Sequence, residues 1–184
     1  MPDLVLTRLE LTKLGEQLNR REWHTFLACH ADQSDSRILW SWPTRGLILV
    51  QCASPVDADF FPGLVSRSRS AEVQTIWDAK SAVRLALIGN PVKTHQATST
   101  PLPPEEWPGW LCRKLENVIS LCEIAIEPLR PIRLPKPEGI VTISLTGFYA
   151  TGIVEDPGRL ARLIRSGVGA GKAYGAGLLM VGAA

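Results

Sequence analysis

The chain has 184 residues, 45% of them hydrophobic and 21% charged, with a formal net charge of +2. That is apolar material enough for one large domain or two small ones, and too little net charge to imply a nucleic-acid partner by itself. No apolar run approaches the ~18 residues of a membrane-spanning helix, the start MPDLVLTRLEL has no signal-peptide core, and the four cysteines (Cys29, Cys52, Cys112, Cys122) lack metal-site spacing. With His24, His30 and His95 as the only histidines, no catalytic metal cluster is expected, and free thiols in a reducing cytoplasm are.

Residues 4–11 alternate, with Val5, Thr7, Leu9 and Leu11 on one face, and read as an opening strand. A helix is predicted over 16–30, its apolar stripe made by Leu18, Trp23, Phe26 and Leu27. Arg20, Arg21, His24 and Ala28 fall on a neighbouring face by i, i+3 and i+4 spacing. Residues 38–42 and 47–52 read as two strands joined by the turn Pro43-Thr-Arg-Gly46. A short helical turn over 60–65 and strands over 73–76 and 83–89 follow. This half has the order βαββ(α)β, a ferredoxin-like arrangement in which helices cover one face of an antiparallel sheet.

Residues 96–108 carry Pro101, Pro103, Pro104 and Pro108 and read as a linker. It divides the chain into a first domain over 1–96 and a second over 97–184. A helix from 105 or 109 to 118 is predicted next, then strands over 121–126 and 140–148 separated by a proline-rich connection over 128–139. Asp156 before Pro157 marks a helix start. Leu160, Leu163 and Ile164 form its buried stripe, and Arg159, Arg162 and Arg165 recur on the other side. A glycine-rich stretch and a last strand close the chain. This half reads αββαβ and lacks an opening strand unless 83–94 supplies it. The fold class expected is α+β: two tandem ferredoxin-like domains with antiparallel sheets.

The glycine-rich stretch, Gly167 to Met180, reads GVGAGKAYGAGLLM. Glycine tolerates positive φ and close backbone approach, so this density predicts a shaped loop. Successive N–H groups in such a loop form an anion-binding concavity, to which Lys172 adds a point charge. It is not a P-loop, because Ser166 and Ala173 stand where glycine and Ser/Thr are needed. Nor is it a dinucleotide fingerprint, because a helix precedes it and a strand follows. Positive charge gathers in three places: Arg20 and Arg21 beside His24; Arg130, Arg133 and Lys136 in the proline-rich connection; and Arg159, Arg162, Arg165 and Lys172 around the glycines. A path through them would track a phosphate backbone.

Several pieces in this order resemble one family. They are Arg21-Glu-Trp-His24, Leu47-Ile-Leu-Val-Gln51, Gly89-Asn-Pro-Val-Lys-Thr94, Trp110-Leu-Cys-Arg-Lys-Leu115 and Gly152 to Asp156. Last comes Gly167 to Leu179, which follows the pattern G-x-G-x-x-K-x-x-G-x-G-L-L. The chain resembles, along nearly its whole length, the CasE-type CRISPR repeat endoribonucleases. The resemblance implies tandem ferredoxin-like domains and metal-independent cleavage of precursor CRISPR RNA on the 3′ side of a repeat hairpin. The RNA's own 2′-hydroxyl attacks the adjacent phosphate, leaving a 2′,3′-cyclic phosphate and a 5′-hydroxyl. No cofactor is implied. The implied partners are the repeat hairpin and the other subunits of a multisubunit effector complex.

By the same resemblance His24 is the catalytic histidine, a general acid or base. The family usually carries a tyrosine three residues earlier; that position here is Arg21, and the tyrosines are Tyr149 and Tyr174. Arg21 stays protonated and would stabilise transition-state charge rather than take a proton. An active nuclease and a hairpin-holding subunit without efficient cleavage both fit this departure. Assigned to RNA contact are Arg20, Lys93, Arg130, Arg133, Lys136, Arg159 and Arg162, with Gly167, Gly169, Gly171, Lys172, Gly175 and Gly177 of the loop. His30 is read as structural, and His95 is left without a role.

Overall fold

The computed structural model describes residues 4–34, 38–96, 98–136 and 139–184. Strand β1 (Val5–Leu11) turns Val5, Thr7, Leu9 and Leu11 inward, as its alternation predicts. Helix α1 (Arg20–Ser34) follows; residues before it form only a single 3-10 turn, Gly15–Gln17. Asn19 fixes the helix start, because its side-chain oxygen accepts from the N–H groups of Arg21 and Glu22. The Glu22 carboxylate in turn accepts the Asn19 N–H at 2.7 Å, closing a capping box. Trp23 and Leu27 are fully buried, and the Trp23 indole N–H donates to the Gly15 carbonyl at 3.1 Å.

Strands β2 (Leu39–Thr44) and β3 (Leu47–Cys52) form the predicted hairpin, and β4 (Val65–Glu72) lies on the other side of β1. The sheet order is β2-β3-β1-β4 with every pairing antiparallel. Residues 73–76, predicted as a strand, are irregular, and the strand precedes them. Its sequence VSRSRSAE hides it: as an edge strand it buries only Val65, so no apolar alternation is needed. The second helix of this half is reduced to the 3-10 turn Ala58–Phe60.

The second half contains β5 (Ala82–Gly89), the hairpin of β6 (Val92–His95) and β7 (Thr98–Pro101), α2 (Trp107–Leu115) and β8 (Ile119–Pro128). A second hairpin, β9 (Ile132–Lys136) and β10 (Gly139–Ile143), leads to β11 (Thr146–Val154), α3 (Pro157–Ser166) and β12 (Leu179–Ala183). The four long strands form an antiparallel sheet of order β12-β5-β11-β8, the same spatial order as in the first half. Two tandem ferredoxin-like units result.

Three expectations change. The strand over 83–89 belongs to the second sheet, between β11 and β12, and is the opening strand that half seemed to lack. The two sheets therefore part between Glu72 and Ala82, not at residue 96. Val83, Leu85 and Leu87 bury against α2 and α3; their alternation fixes a strand but not the sheet that receives it. The expected linker is partly structured, holding β7 and the start of α2. The strand expected over 140–148 is divided between β10 and β11, and the proline-rich connection supplies β9 as the partner of β10.

Each unit has its own core: Leu9, Trp23, Leu27, Trp40, Ile48 and Val50 in the first; Trp110, Leu111, Leu115, Phe148, Leu160 and Ile164 among those in the second. They are joined at the end of α3. There the amide of Gln51 on β3, itself buried, donates to the Ile164 carbonyl at 2.7 Å. Among the described residues no helix is long and apolar enough to cross a membrane.

Candidate functional site

Burial of Trp23 and Leu27 sets the rotation of α1 and leaves Arg20 and His24, one turn apart, on another face. Arg20 is mostly buried. Its guanidinium donates to the Trp42 carbonyl and to the Tyr174 carbonyl, each at 3.1 Å. It also lies 5.9 Å from the ring centroid of Trp40 and 5.5 Å from that of Trp42. Burial lowers its pKa to about 10, so it remains protonated at neutral pH. One side chain thus ties α1 to β2 and to the glycine stretch of the other unit. His24 is partly exposed and has no hydrogen-bond partner among the described residues. Arg21 is exposed on the outer side of the helix.

The glycine stretch leaves α3 through Gly167 and runs to β12 with five glycines at positive φ. The Val168 N–H donates to the Gly177 carbonyl at 2.8 Å and the Gly177 N–H to Ile88 of β5 at 2.7 Å, so the loop closes on itself and is pinned to the sheet. At its tip Lys172–Tyr174 form a 3-10 turn that packs against α1. The Lys172 ammonium donates to the Gly169 carbonyl at 2.9 Å, which holds its charge over the turn. Gly169, Ala170 and Gly171 donate to no backbone carbonyl among the described residues; their N–H groups are available to an anion. Gly175 needs to be glycine twice over. Its φ is +77°, and a Cβ there would stand 2.7 Å from the Arg20 guanidinium.

The base of the β9–β10 hairpin packs on the same loop through Ile88, Ile143, Leu145, Ala176 and Tyr174. Arg130 is thereby brought beside α1, where it lines a groove of about 480 Å³ with Arg20, Trp42, Arg45 and Glu16. Arg133 stands exposed further along β9, opposite Thr142. The side chain of Lys136 lies outside the described residues, as does that of His30.

Other predicted residues lie apart. Arg159 and Arg162 are on the exposed face of α3. Lys93 lines a different cavity, between β6 and α2. His95 is exposed at the end of β6. The Tyr149 hydroxyl donates to Glu127 at 3.2 Å on the second sheet, within a larger, mostly apolar cavity that holds none of the candidates. Tyr174 packs into the hairpin base. Residues that the sequence did not single out are Gln51, Trp42 and Asn90; all three act through contacts with distant parts of the chain, which no local spacing records.

The chain thus sets a histidine-bearing helix against a lysine-bearing glycine loop within an α+β protein of two ferredoxin-like units. The chain belongs to the CRISPR-associated protein family, whose sequence profile matches residues 6–182. Among solved structures it is similar to the CRISPR endoribonuclease Cse3 bound to a 19-nucleotide RNA, at 26% identity and a TM-score of 0.81, covering 97% of this chain and 99% of that one. It is likewise similar to Thermus thermophilus Cse3 bound to an RNA representing a pre-cleavage complex, at 27% identity and a TM-score of 0.79, covering 98% and 99%. The CRISPR-associated protein Cas6e from Escherichia coli K-12 shares the fold at 21% identity and a TM-score of 0.74, covering 98% and 100%. No curated protein sequence matches.

Proposed function

We propose that this protein is an endoribonuclease that binds the repeat hairpin of precursor CRISPR RNA in the cytoplasm and cleaves it 3′ of the stem. It then keeps the product as a subunit of the effector complex. The observation that carries this reading is the placement of a partly exposed, unpartnered His24 on the helix that Arg20 ties to the Lys172 loop. Family membership and the likeness to RNA-bound Cse3 support it.

In this mechanism the scissile phosphate rests against the free N–H groups of residues 169–171 and the Lys172 ammonium, which stabilise the charge that develops at phosphorus. The adjacent 2′-hydroxyl attacks, and the 5′-oxygen leaves with a proton. His24 moves one of these two protons as general base or general acid and water exchanges the other, needing no metal. Arg130 and Arg133, on and beside a hairpin that can reach a stem, contact phosphates of the A-form helix. Arg20 acts indirectly, by holding α1 and the loop in register. Arg21 adds positive charge beside His24.

Arg21 also favours a second reading, in which the protein holds the hairpin without efficient cleavage. The two are separated by end-labelled cognate repeat RNA in EDTA, with a ribose or a 2′-deoxyribose at the scissile nucleotide. The nuclease reading expects a single cut in the ribose RNA, none in the deoxy RNA, and equal affinity for both. Tight binding without any cut selects the holding subunit; cleavage of the deoxy RNA refutes 2′-hydroxyl attack.

A further inference from the structure

Beside the glycine loop a cavity of about 450 Å³ opens between β6 and α2. Its lining includes Lys93, Arg113, Lys114, Glu106, Trp110 and Leu102. Three cations share it with one carboxylate. Among the described residues none of the three takes part in an ion pair. Lys114 sits 5.9 Å from the Trp110 ring centroid, a contact that holds its ammonium at the mouth. No lining residue comes from α1 or from the β9–β10 hairpin.

One residue joins this cavity to the loop. Trp110, stacked on Phe148 at 5.4 Å, forms its wall and also packs under Gly169, where an added Cβ would stand 2.9 Å from the indole. Asn90, just before β6, packs against Gly171 and is 8% exposed, and its Oδ1 is buried with no hydrogen-bond partner.

We propose that this cavity is a second phosphate subsite, taking the single-stranded RNA that runs from the hairpin stem across the glycine loop. The inference rests on the reading of the loop as an RNA site. Lysine and arginine here meet phosphodiester oxygens. An acidic protein segment would find the same cations. The shared Trp110 wall sets the pocket against the loop, which favours a strand already lying there.

The test compares wild type with Arg113→Gln/Lys114→Gln, checked for an unchanged thermal melt. Three RNAs carry 2′-deoxyribose at the scissile position: the bare repeat hairpin, the hairpin with a 5′ single-stranded extension, and the hairpin with a 3′ extension. One extension is expected to tighten wild-type binding about tenfold, and the double variant to lose that gain while binding the bare hairpin as wild type does. The log–log salt slope for the extended RNA is expected to fall by about 1.4 for two lost single-strand contacts. If neither extension tightens binding, as when an acidic protein is the true occupant, or if the gain survives in the variant, the proposal is overturned. If wild type fails to bind even the bare hairpin, it is the proposed function that fails.

Discussion

Arg20 looks in the sequence like its neighbour Arg21, a cation on the histidine face of a helix, yet the two have different surroundings. Arg21 faces solvent, whereas the Arg20 fork is committed to two carbonyls on separate parts of the chain. Arg20→Ala would leave both carbonyls and two tryptophan faces without their cation. A loss of about 2–4 kcal/mol is expected from two charge-assisted hydrogen bonds and the packing around them, read as a lower urea midpoint. Arg20→Lys should recover little of it, because one ammonium does not reproduce the two-pronged geometry. An unchanged midpoint in Arg20→Ala would show that Arg20 is available for RNA rather than fixing the helix. The places of His24 on a helix and of Lys172 in a glycine loop were legible, because stripe spacing and glycine density announce those elements. Gln51 and Asn90 were not, since an amide in or after an apolar strand says nothing about which distant carbonyl or loop it meets.

At the scale of elements, the glycine loop is held from both ends. Gly177 ties it to β5, and the Gln51 amide caps the last turn of α3, from which it departs. Gln51→Ala leaves the Ile164 carbonyl buried and unpaired, for an expected cost of about 1–3 kcal/mol in a denaturant titration. Gly175→Ala combines a positive φ with a clash against Arg20. It should lower both stability and hairpin affinity, and wild-type values for both would contradict the packing described. The helices and the β2–β3 hairpin could be read from caps, stripes and a turn. Strand β4 could not, because an edge strand with serine and arginine in alternation buries almost nothing. The β9–β10 hairpin was concealed by prolines that, in the sequence alone, argue against strands.

For the whole molecule, the tandem arrangement was legible and the division between the sheets was not. The strand β5 pairs with partners some sixty to one hundred residues later in the chain, so its place depends on contacts that no window of sequence contains. That pairing matters for function, since β5 carries the Ile88 carbonyl that pins the glycine loop and leads directly into Asn90 and β6. A net charge of +2 conceals a candidate site at which α1, the glycine loop and the hairpin base converge from both units. Each unit alone lacks part of it: the first brings His24 and Arg20, the second Lys172 and Arg130.

If His24, on the helix that Arg20 ties to this loop, moves a proton in RNA cleavage, its removal slows the chemical step and spares binding. The most direct measurement is the single-turnover cleavage rate of the cognate repeat RNA in EDTA, together with hairpin affinity, for wild type and His24→Ala. For His24→Ala an unchanged affinity and a rate at least ~100-fold lower are expected, the usual worth of a positioned acid or base. Equal rates for the two proteins would contradict that role for His24.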